Sequence, residues 1–368
     1  MNRKIVSLLK MLILSVGLIG VFSLVGELSD NNSDSGKEAG TTSYDFVMGT
    51  TISMTIYDKD VEESVIMDNI YESIKLLDEE LISWRADDSE LGRLNGNYAI
   101  GQGYQISQEL YVILKQSLDI CSYSEGALDI TIRPLAGLWN IEGDVNEEFI
   151  PPSDEEIKAA LKQVDYKAVE LISETYSGDS GNVVAENYYV YMDSENMIID
   201  LGATGKGYAL DKAKAILEES KVDGALITVG GSILVYGEKS DGKPWRIGVR
   251  DPNKPNDTSA VIGYIQLPAG TKTCVSTSGG YEKYKTYQGK DYHHILDSKT
   301  GYPSDSGLLS VTVVCENGLA SDGLSTACYV LGYERSLPLL EKYNAEAVFM
   351  DTKGNIMVTE GLKGSWVE

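Results

Sequence analysis

Residues 293–303 read His293-His294-Ile295-Leu296-Asp297-Ser298-Lys299-Thr300-Gly301-Tyr302-Pro303. An apolar, β-branched run follows at Leu308–Val314, and then Ala320-Ser321-Asp322-Gly323-Leu324-Ser325-Thr326-Ala327. Both histidines of the protein stand side by side here. Thr300-Gly301-Tyr302-Pro303 is a turn signal, so the stretch predicts a strand, a turn, a second strand and a helix. Asp322 is expected to open that helix. Thr326 lies four residues on, which puts a carboxylate and a hydroxyl on one helix face near its N-terminus. Such a pair suits a hard cation, and a helix N-terminus suits a phosphate. The same letters also fit a plain cap at Ser321 or Asp322 with Thr326 packed inward, and spacing alone leaves both open.

Outward from this stretch the chain stays mixed. Its 368 residues are 42% apolar and 24% charged, enough for a large core. A formal net charge of −25 argues against nucleic acid as a partner, since phosphate contacts need clustered Lys and Arg. The four cysteines, Cys121, Cys274, Cys315 and Cys328, lie far apart in apolar surroundings without metal-ligand spacing, and read as buried thiols.

Arg3 and Lys4 precede an apolar run, and Met11–Gly26 carries no charge. Residues 1–26 therefore read as a membrane anchor first and a cleaved export signal second. Leu24-Val25-Gly26 looks like the approach to a lipoprotein cysteine, but Glu27 follows and no cysteine precedes Cys121, which excludes lipidation. Residues 27–43, rich in Ser, Asn, Gly and acid, read as a flexible linker, leaving 44–368 as one folded domain. Its expected location is the extracytoplasmic face of a bacterial cell membrane, anchored or secreted.

Within the domain, Phe46–Tyr57 alternates in the manner of one strand. Ile66, Ile70, Ile74, Leu77 and Leu81 recur at helical spacing and lead into Ser83-Trp84-Arg85. Trp84 either stacks on the ring of a ligand or forms a half-buried edge of the core. A second helix starts at Ser107, and Gly126-Ala127-Leu128-Asp129-Ile130-Thr131 follows it. Ser153 with Glu156 is a capping box, and residues 173–183 read as a loop. Met197-Ile198-Ile199-Asp200-Leu201-Gly202-Ala203-Thr204-Gly205-Lys206-Gly207-Tyr208 is a buried strand entering a Gly-rich turn and a helix. Glycine lets backbone approach a phosphate and Lys206 supplies charge, although a strand-to-helix turn wants glycine anyway. The spacing fits neither a Walker loop nor a dinucleotide fingerprint. The remainder is strand-rich, which makes α+β with a large, partly antiparallel sheet the expected class.

Taken in order, eight segments resemble one family. They are Met48-Gly49-Thr50-Thr51, Ser83-Trp84-Arg85 to Asn95, Ala127–Thr131, Asp200-Leu201-Gly202-Ala203 with Lys206–Ala209, and Val229-Gly230-Gly231. Ser276-Thr277-Ser278-Gly279, His294–Asp297 with Thr300–Pro303, and Ala320-Ser321-Asp322 with Thr326-Ala327 complete the set. From about Tyr44 to the C-terminus the chain resembles the ApbE-type flavin transferases, FAD:protein FMN transferases. The resemblance implies an ApbE-like (T-fold-like) fold of largely antiparallel sheets packed with helices. It implies Mg²⁺-dependent transfer of FMN from FAD, the substrate, to a threonine or serine hydroxyl of an acceptor flavoprotein, releasing AMP. Carried over by position, Met48, Trp84, Ala127, Asp129, Asp200, Lys206 and Leu296 lie around FAD. The Ala203 carbonyl, Asp322 and Thr326 hold Mg²⁺. Ser325 stands where relatives can carry an acid, which puts a second metal in doubt. His294, expected to titrate near neutral pH, is the candidate base, with His293 on the opposite face of the strand. The alternatives are an FAD pyrophosphatase on the same site and an exported, non-catalytic FAD-binding protein.

Overall fold

In Ala225-Leu226-Ile227-Thr228-Val229 successive side chains point to opposite faces of a strand, and both faces are largely apolar. Such a strand needs cover on both sides. The computed structural model describes residues 40–58, 60–143, 148–177 and 183–368, and supplies that cover. In chain order the elements are β1 (Thr41–Val47), β2 (Thr50–Ile56), α1 (Glu63–Leu76, continued by a π turn over Leu77–Ile82), α2 (Glu90–Asn97), β3 (Tyr104–Ile106), α3 (Gln108–Tyr123), α4 (Arg133–Trp139), α5 (Asp154–Leu161), β4 (Val169–Ser177) and β5 (Val183–Met192). Then come α6 (Gly205–Glu219), β6 (Gly224–Val229), β7 (Ser232–Gly237), β8 (Trp245–Arg250), β9 (Val261–Leu267), β10 (Thr271–Gly279), β11 (Tyr284–Tyr287), β12 (Lys290–His293), β13 (Leu308–Cys315), α7 (Gly318–Leu331), α8 (Tyr333–Lys342), β14 (Glu346–Asp351), β15 (Ile356–Val358) and β16 (Trp366–Val367).

Eight strands form one sheet in the order β1-β2-β6-β7-β10-β13-β14-β15, and every neighbouring pair is antiparallel. On one face Ile227, Leu234, Val311 and Phe349 join a core with Ile70 of α1, Leu210 of α6 and Leu324 of α7. On the other, Leu226, Val235, Val275 and Val348 meet Trp245, Ile247 and Ile265 of a three-stranded sheet, β16-β9-β8. The α+β class expected from the sequence is the class observed, and all four cysteines are free and buried.

Four boundaries differ from expectation. Phe46–Tyr57 is not one strand, because β1 and β2 form a hairpin through Met48 and Gly49, both with positive φ (55° and 68°). Two such residues make the tight turn whose twist matches a hairpin. β1 already begins at Thr41, so the linker expected over 27–43 gives way to an edge strand over its last residues. Residues 173–177 are the end of β4, paired with β5, rather than a loop; residues 178–182 lie outside the described residues. Finally, α7 begins at Gly318 and not at Asp322. Asn317 caps it through Ala320 N–H (2.7 Å), while the Asp211 carboxylate of α6 takes the Gly318 and Leu319 N–H groups (2.6 and 2.9 Å). That N-terminus is thereby closed to a phosphate, and neither Ser321 nor Asp322 is its cap. The anchor expected at residues 1–26 lies outside the described residues; among those described no helix is long and apolar enough to cross a membrane.

The site is assembled where α6 crosses α7. A Cβ on Gly207 would stand 2.0 Å from the Gly318 carbonyl oxygen, so the two backbones touch there. The glycine expected to admit a phosphate admits a helix instead. Gly207→Ala is therefore expected to cost about 3 kcal/mol or more by overpacking, read as a lower urea midpoint. An unchanged midpoint would mean the crossing is looser than described.

Candidate active site

The first turn of α6 meets the Asp322 carboxylate of α7 at the crossing. The Gly207 N–H is one of the first four amides of α6, which no intrahelical carbonyl can satisfy, and it donates to Asp322 Oδ2 at 3.0 Å. Asp322 is buried, accepts the Ser232 hydroxyl on Oδ1 (3.3 Å), and has the Lys206 ammonium 3.6 Å from Oδ2. Lys206 also donates to the Gly202 carbonyl (3.1 Å). One helical turn past Asp322, the Thr326 hydroxyl lies 3.1 Å from Ser278 Oγ, and Ser325 Oγ lies 2.7 Å from the same atom. This donor set is all oxygen, with one carboxylate. It fits Mg²⁺, which takes one or two protein carboxylates and fills its shell with water and substrate phosphate. Among the described residues there is no cluster of three or more His, Cys, Asp or Glu that could hold a metal.

Cations gather on the adjoining wall of this strongly acidic chain. Arg133, at the start of α4, places its guanidinium carbon 3.4 Å from the centre of the Trp84 ring, and Arg85 lies over the same ring at 4.3 Å. Trp84 is half-buried. Arg133 reaches Asp200 Oδ2 at 3.9 Å, and Asp200 Oδ1 accepts the Gly202 N–H (2.8 Å). Burial pushes the Asp200 carboxyl up, with the Gly202 amide and Arg133 opposing. Ile130 holds this turn through the Asp200 N–H (2.7 Å). Met48, held in its strained turn by an N–H bond to Asp78 (3.0 Å), reaches the Gly205 end of α6.

Not every expected residue presents its polar group to the cleft. Asp129 spends both carboxylate oxygens internally: Oδ1 takes the Thr131 N–H and hydroxyl (2.8 and 2.6 Å), and Oδ2 the Tyr166 N–H (3.2 Å). It shapes the 127–133 segment. Ala127 and Leu296 are both buried, Leu296 in a cluster with Leu135, Trp139 and Ile157. Gly301 (φ 78°) turns the chain against Ile157, and its carbonyl accepts the Trp139 indole N–H (2.7 Å).

The two histidines diverge. His293 packs edge-on against Tyr329 and donates from Nε2 to the Ser304 carbonyl (3.0 Å). His294 directs Nδ1 to the Lys283 carbonyl (3.2 Å), which also accepts the His294 backbone N–H (3.1 Å). A carbonyl can only accept, so Nδ1 carries the proton and Nε2 keeps a lone pair, the form a base needs. Burial, followed by the Lys283 ammonium, pushes His294 down to about 4, against Glu142. It does not titrate near neutrality as expected; it is uncharged there. Lys283 in turn pairs with Glu142 Oε1 (2.6 Å), whose Oε2 takes Arg85 (3.3 Å).

Sequence reasoning missed Arg133, Lys283, Glu142 and Glu282. Burial raises the Glu282 carboxyl, with Lys206, Arg250 and Lys283 opposing and Asp322 adding to the rise. Glu282 thus links the Asp322 end of the site electrostatically to the His294 end. For Glu282 and Lys283 the available signal was their place as an adjacent charged pair, two residues beyond the Ser276–Gly279 motif. A recess of about 830 Å³ between Asn95, Tyr98, Pro134, Leu138 and Met197 contains none of these charged groups. Chemistry locates the site better than volume does.

A model described as the ApbE family matches residues 48–349. The FAD:protein FMN transferase of Treponema pallidum is 29% identical over 330 residues, covering 86% of each chain. One from Klebsiella pneumoniae is 31% identical over 276 residues, covering 75% of this chain and 74% of that one. The crystal structure of the ApbE protein from Thermotoga maritima superimposes with a TM-score of 0.75 at 30% identity, covering 89% of this chain and all of that one.

Proposed function

The chain belongs to the ApbE family, and from that premise we propose that it transfers FMN from FAD to a threonine or serine hydroxyl of an acceptor flavoprotein. The observation that carries the chemistry is the tautomer of His294: its Nδ1 proton is committed to the Lys283 carbonyl, which leaves Nε2 as the ring's proton acceptor. The acceptor hydroxyl oxygen attacks the FMN-side phosphorus. A new P–O ester bond forms, the bond to the bridging oxygen breaks, and that oxygen leaves with its electron pair as part of AMP. The hydroxyl proton passes to His294 Nε2. The Lys283 carbonyl keeps the ring in the required tautomer throughout. Lys206, with Arg133 and Arg85 nearby, offsets the pyrophosphate charge, which strengthens as the bridging oxygen leaves. Mg²⁺ held by the Ala203 carbonyl, Asp322 and Thr326 would act as a Lewis acid on the pyrophosphate oxygens.

The flavin end is assigned to Trp84, with Met48, Ala127 and Leu296 shaping the surroundings and Asp129 and Asp200 fixing the loops that carry them. Arg85 is 63% exposed, so it can yield its side of the Trp84 ring to a flavin. Trp84→Ala is expected to weaken FAD binding roughly tenfold, the worth of one stacked aromatic pair; fluorescence titration with FAD reads it, and an unchanged affinity removes Trp84 from the flavin site. Residues 1–26, in this proposal, hold the domain at the extracytoplasmic face of the membrane, which the run of uncharged apolar residues supports.

The products test the reaction. With FAD, Mg²⁺ and an acceptor flavoprotein carrying the target threonine, AMP should appear without an equal amount of free FMN. With that threonine changed to alanine, AMP release should stop. AMP and free FMN in equal amounts, whichever acceptor is present, would make the protein a pyrophosphatase.

A further inference from the structure

Glu142 follows α4 and stands between cations drawn from two other parts of the chain. Its Oε1 accepts from Lys283 Nζ at 2.6 Å and its Oε2 from Arg85 at 3.3 Å. The backbone carbonyl of that same Lys283 receives both the N–H and the Nδ1–H of His294. The ammonium thus has a carboxylate on one side, and the residue's carbonyl grips an imidazole on the other. Neither the motifs in the sequence nor the family resemblance assigns Glu142 a part.

We propose that Glu142 is a positioning residue for FMN transfer: by gripping Lys283 it holds the carbonyl that orients His294 and offsets the ammonium charge beside the imidazole. The proposal rests on His294 being the base. The charged or titratable groups bearing on His294 are Lys283 from the loop before β11, Glu142 from the segment after α4, and His293 from the end of β12. Arg85 bears on Glu142 from the far side. As the base takes a proton, an imidazolium forms next to Lys283. With Glu142 in place the ammonium is paired, and the new charge meets a neutralised neighbour. Without it two cations stand together, the proton is held less well, and the base is weaker. Glu142 itself is held below the usual carboxylate range; burial would raise it, but Lys283, with His294 and Arg85, more than offsets that. It therefore stays anionic across the working range.

The test uses the full-length chain with ring-labelled histidine. The protein contains two histidines, so an NMR titration shows two ring signals, and H294A identifies the one of interest. Glu142→Gln should move the His294 midpoint below that of the wild type, or out of the acid range altogether. Glu142→Asp should restore it, and Lys283→Met should raise it toward the ordinary histidine value. Glu142 is 39% exposed, so these changes are compatible with folding, which an unaltered far-UV circular dichroism spectrum verifies. In transfer assays E142Q should lower kcat while leaving the KM for FAD. An E142Q midpoint equal to the wild type would overturn the proposal. So would an E142Q protein that binds FAD more tightly and transfers faster, since Glu142 would then be a competitor for the anion site. If H294A transfers normally, the fault lies in the assignment of the base, and the titration still reports separately whether Glu142 governs the imidazole.

Discussion

Asp322→Ala is expected to lower FMN transfer by about three orders of magnitude. A metal acting on phosphoryl oxygens supplies several kcal/mol, and about 4 kcal/mol corresponds to roughly 1,000-fold in rate. Asp322 is the sole carboxylate among the proposed metal ligands and also the partner of Lys206. The same change damages the fold. The Gly207 N–H and the Ser232 hydroxyl, both buried against the carboxylate, lose their acceptor, at about 1–3 kcal/mol for each group left unpaired. Two variants separate the effects. Asp322→Asn keeps an oxygen for those donors but no charge, so it should retain most of the urea midpoint while losing transfer. An active Asp322→Asn enzyme would show that the carboxylate acts only as a brace.

His294→Ala is expected to slow transfer roughly 100- to 10,000-fold, the range over which a positioned base contributes. FAD affinity should stay within about twofold, because the role proposed for His294 is to take the proton of the attacking hydroxyl and not to hold the flavin. The pH dependence carries a sign. Burial and Lys283 press His294 down to about 4, so the free enzyme keeps its base unprotonated from neutrality down to that region. The acid limb of kcat/KM should therefore fall near pH 4 and not near 6.5. Stability follows the same linkage. The folded state resists protonating this ring while the unfolded chain accepts the proton, so the stability present above about pH 6.5 is lost progressively as pH falls toward 4. A limb near 6.5 would mean that His294 is solvated in solution.

Much of this is legible in the sequence. Ile66, Ile70 and Ile74 report a helix because a 3.6-residue period brings them to one face, and all three are buried there. Ser153 and Glu156 form the capping box their spacing announces. Other features depend on neighbours far along the chain. Met48 adopts a left-handed conformation that no propensity assigns to methionine, so the β1–β2 turn hides inside an apparently continuous strand. The start of α7 is displaced four residues because Asp211, from another helix, satisfies its first amides. The wall of the cleft is the least legible part. Glu142 meets Arg85 across 57 residues and Lys283 across 141, and a charge on a surface loop carries no local mark of such a meeting. Asp129 shows the reverse. Its place in the motif is plain, yet its carboxylate is turned to Thr131 and Tyr166, so a residue matching a motif by position can serve the frame of the site instead of the ligand.

The most direct test of FMN transfer is the intact mass of an acceptor flavoprotein after incubation with the full-length protein, FAD and Mg²⁺. The account predicts a gain equal to one FMN residue at a threonine or serine, matched mole for mole by AMP. An acceptor of unchanged mass, in a mixture where FAD has become free FMN and AMP or remains whole, would contradict it.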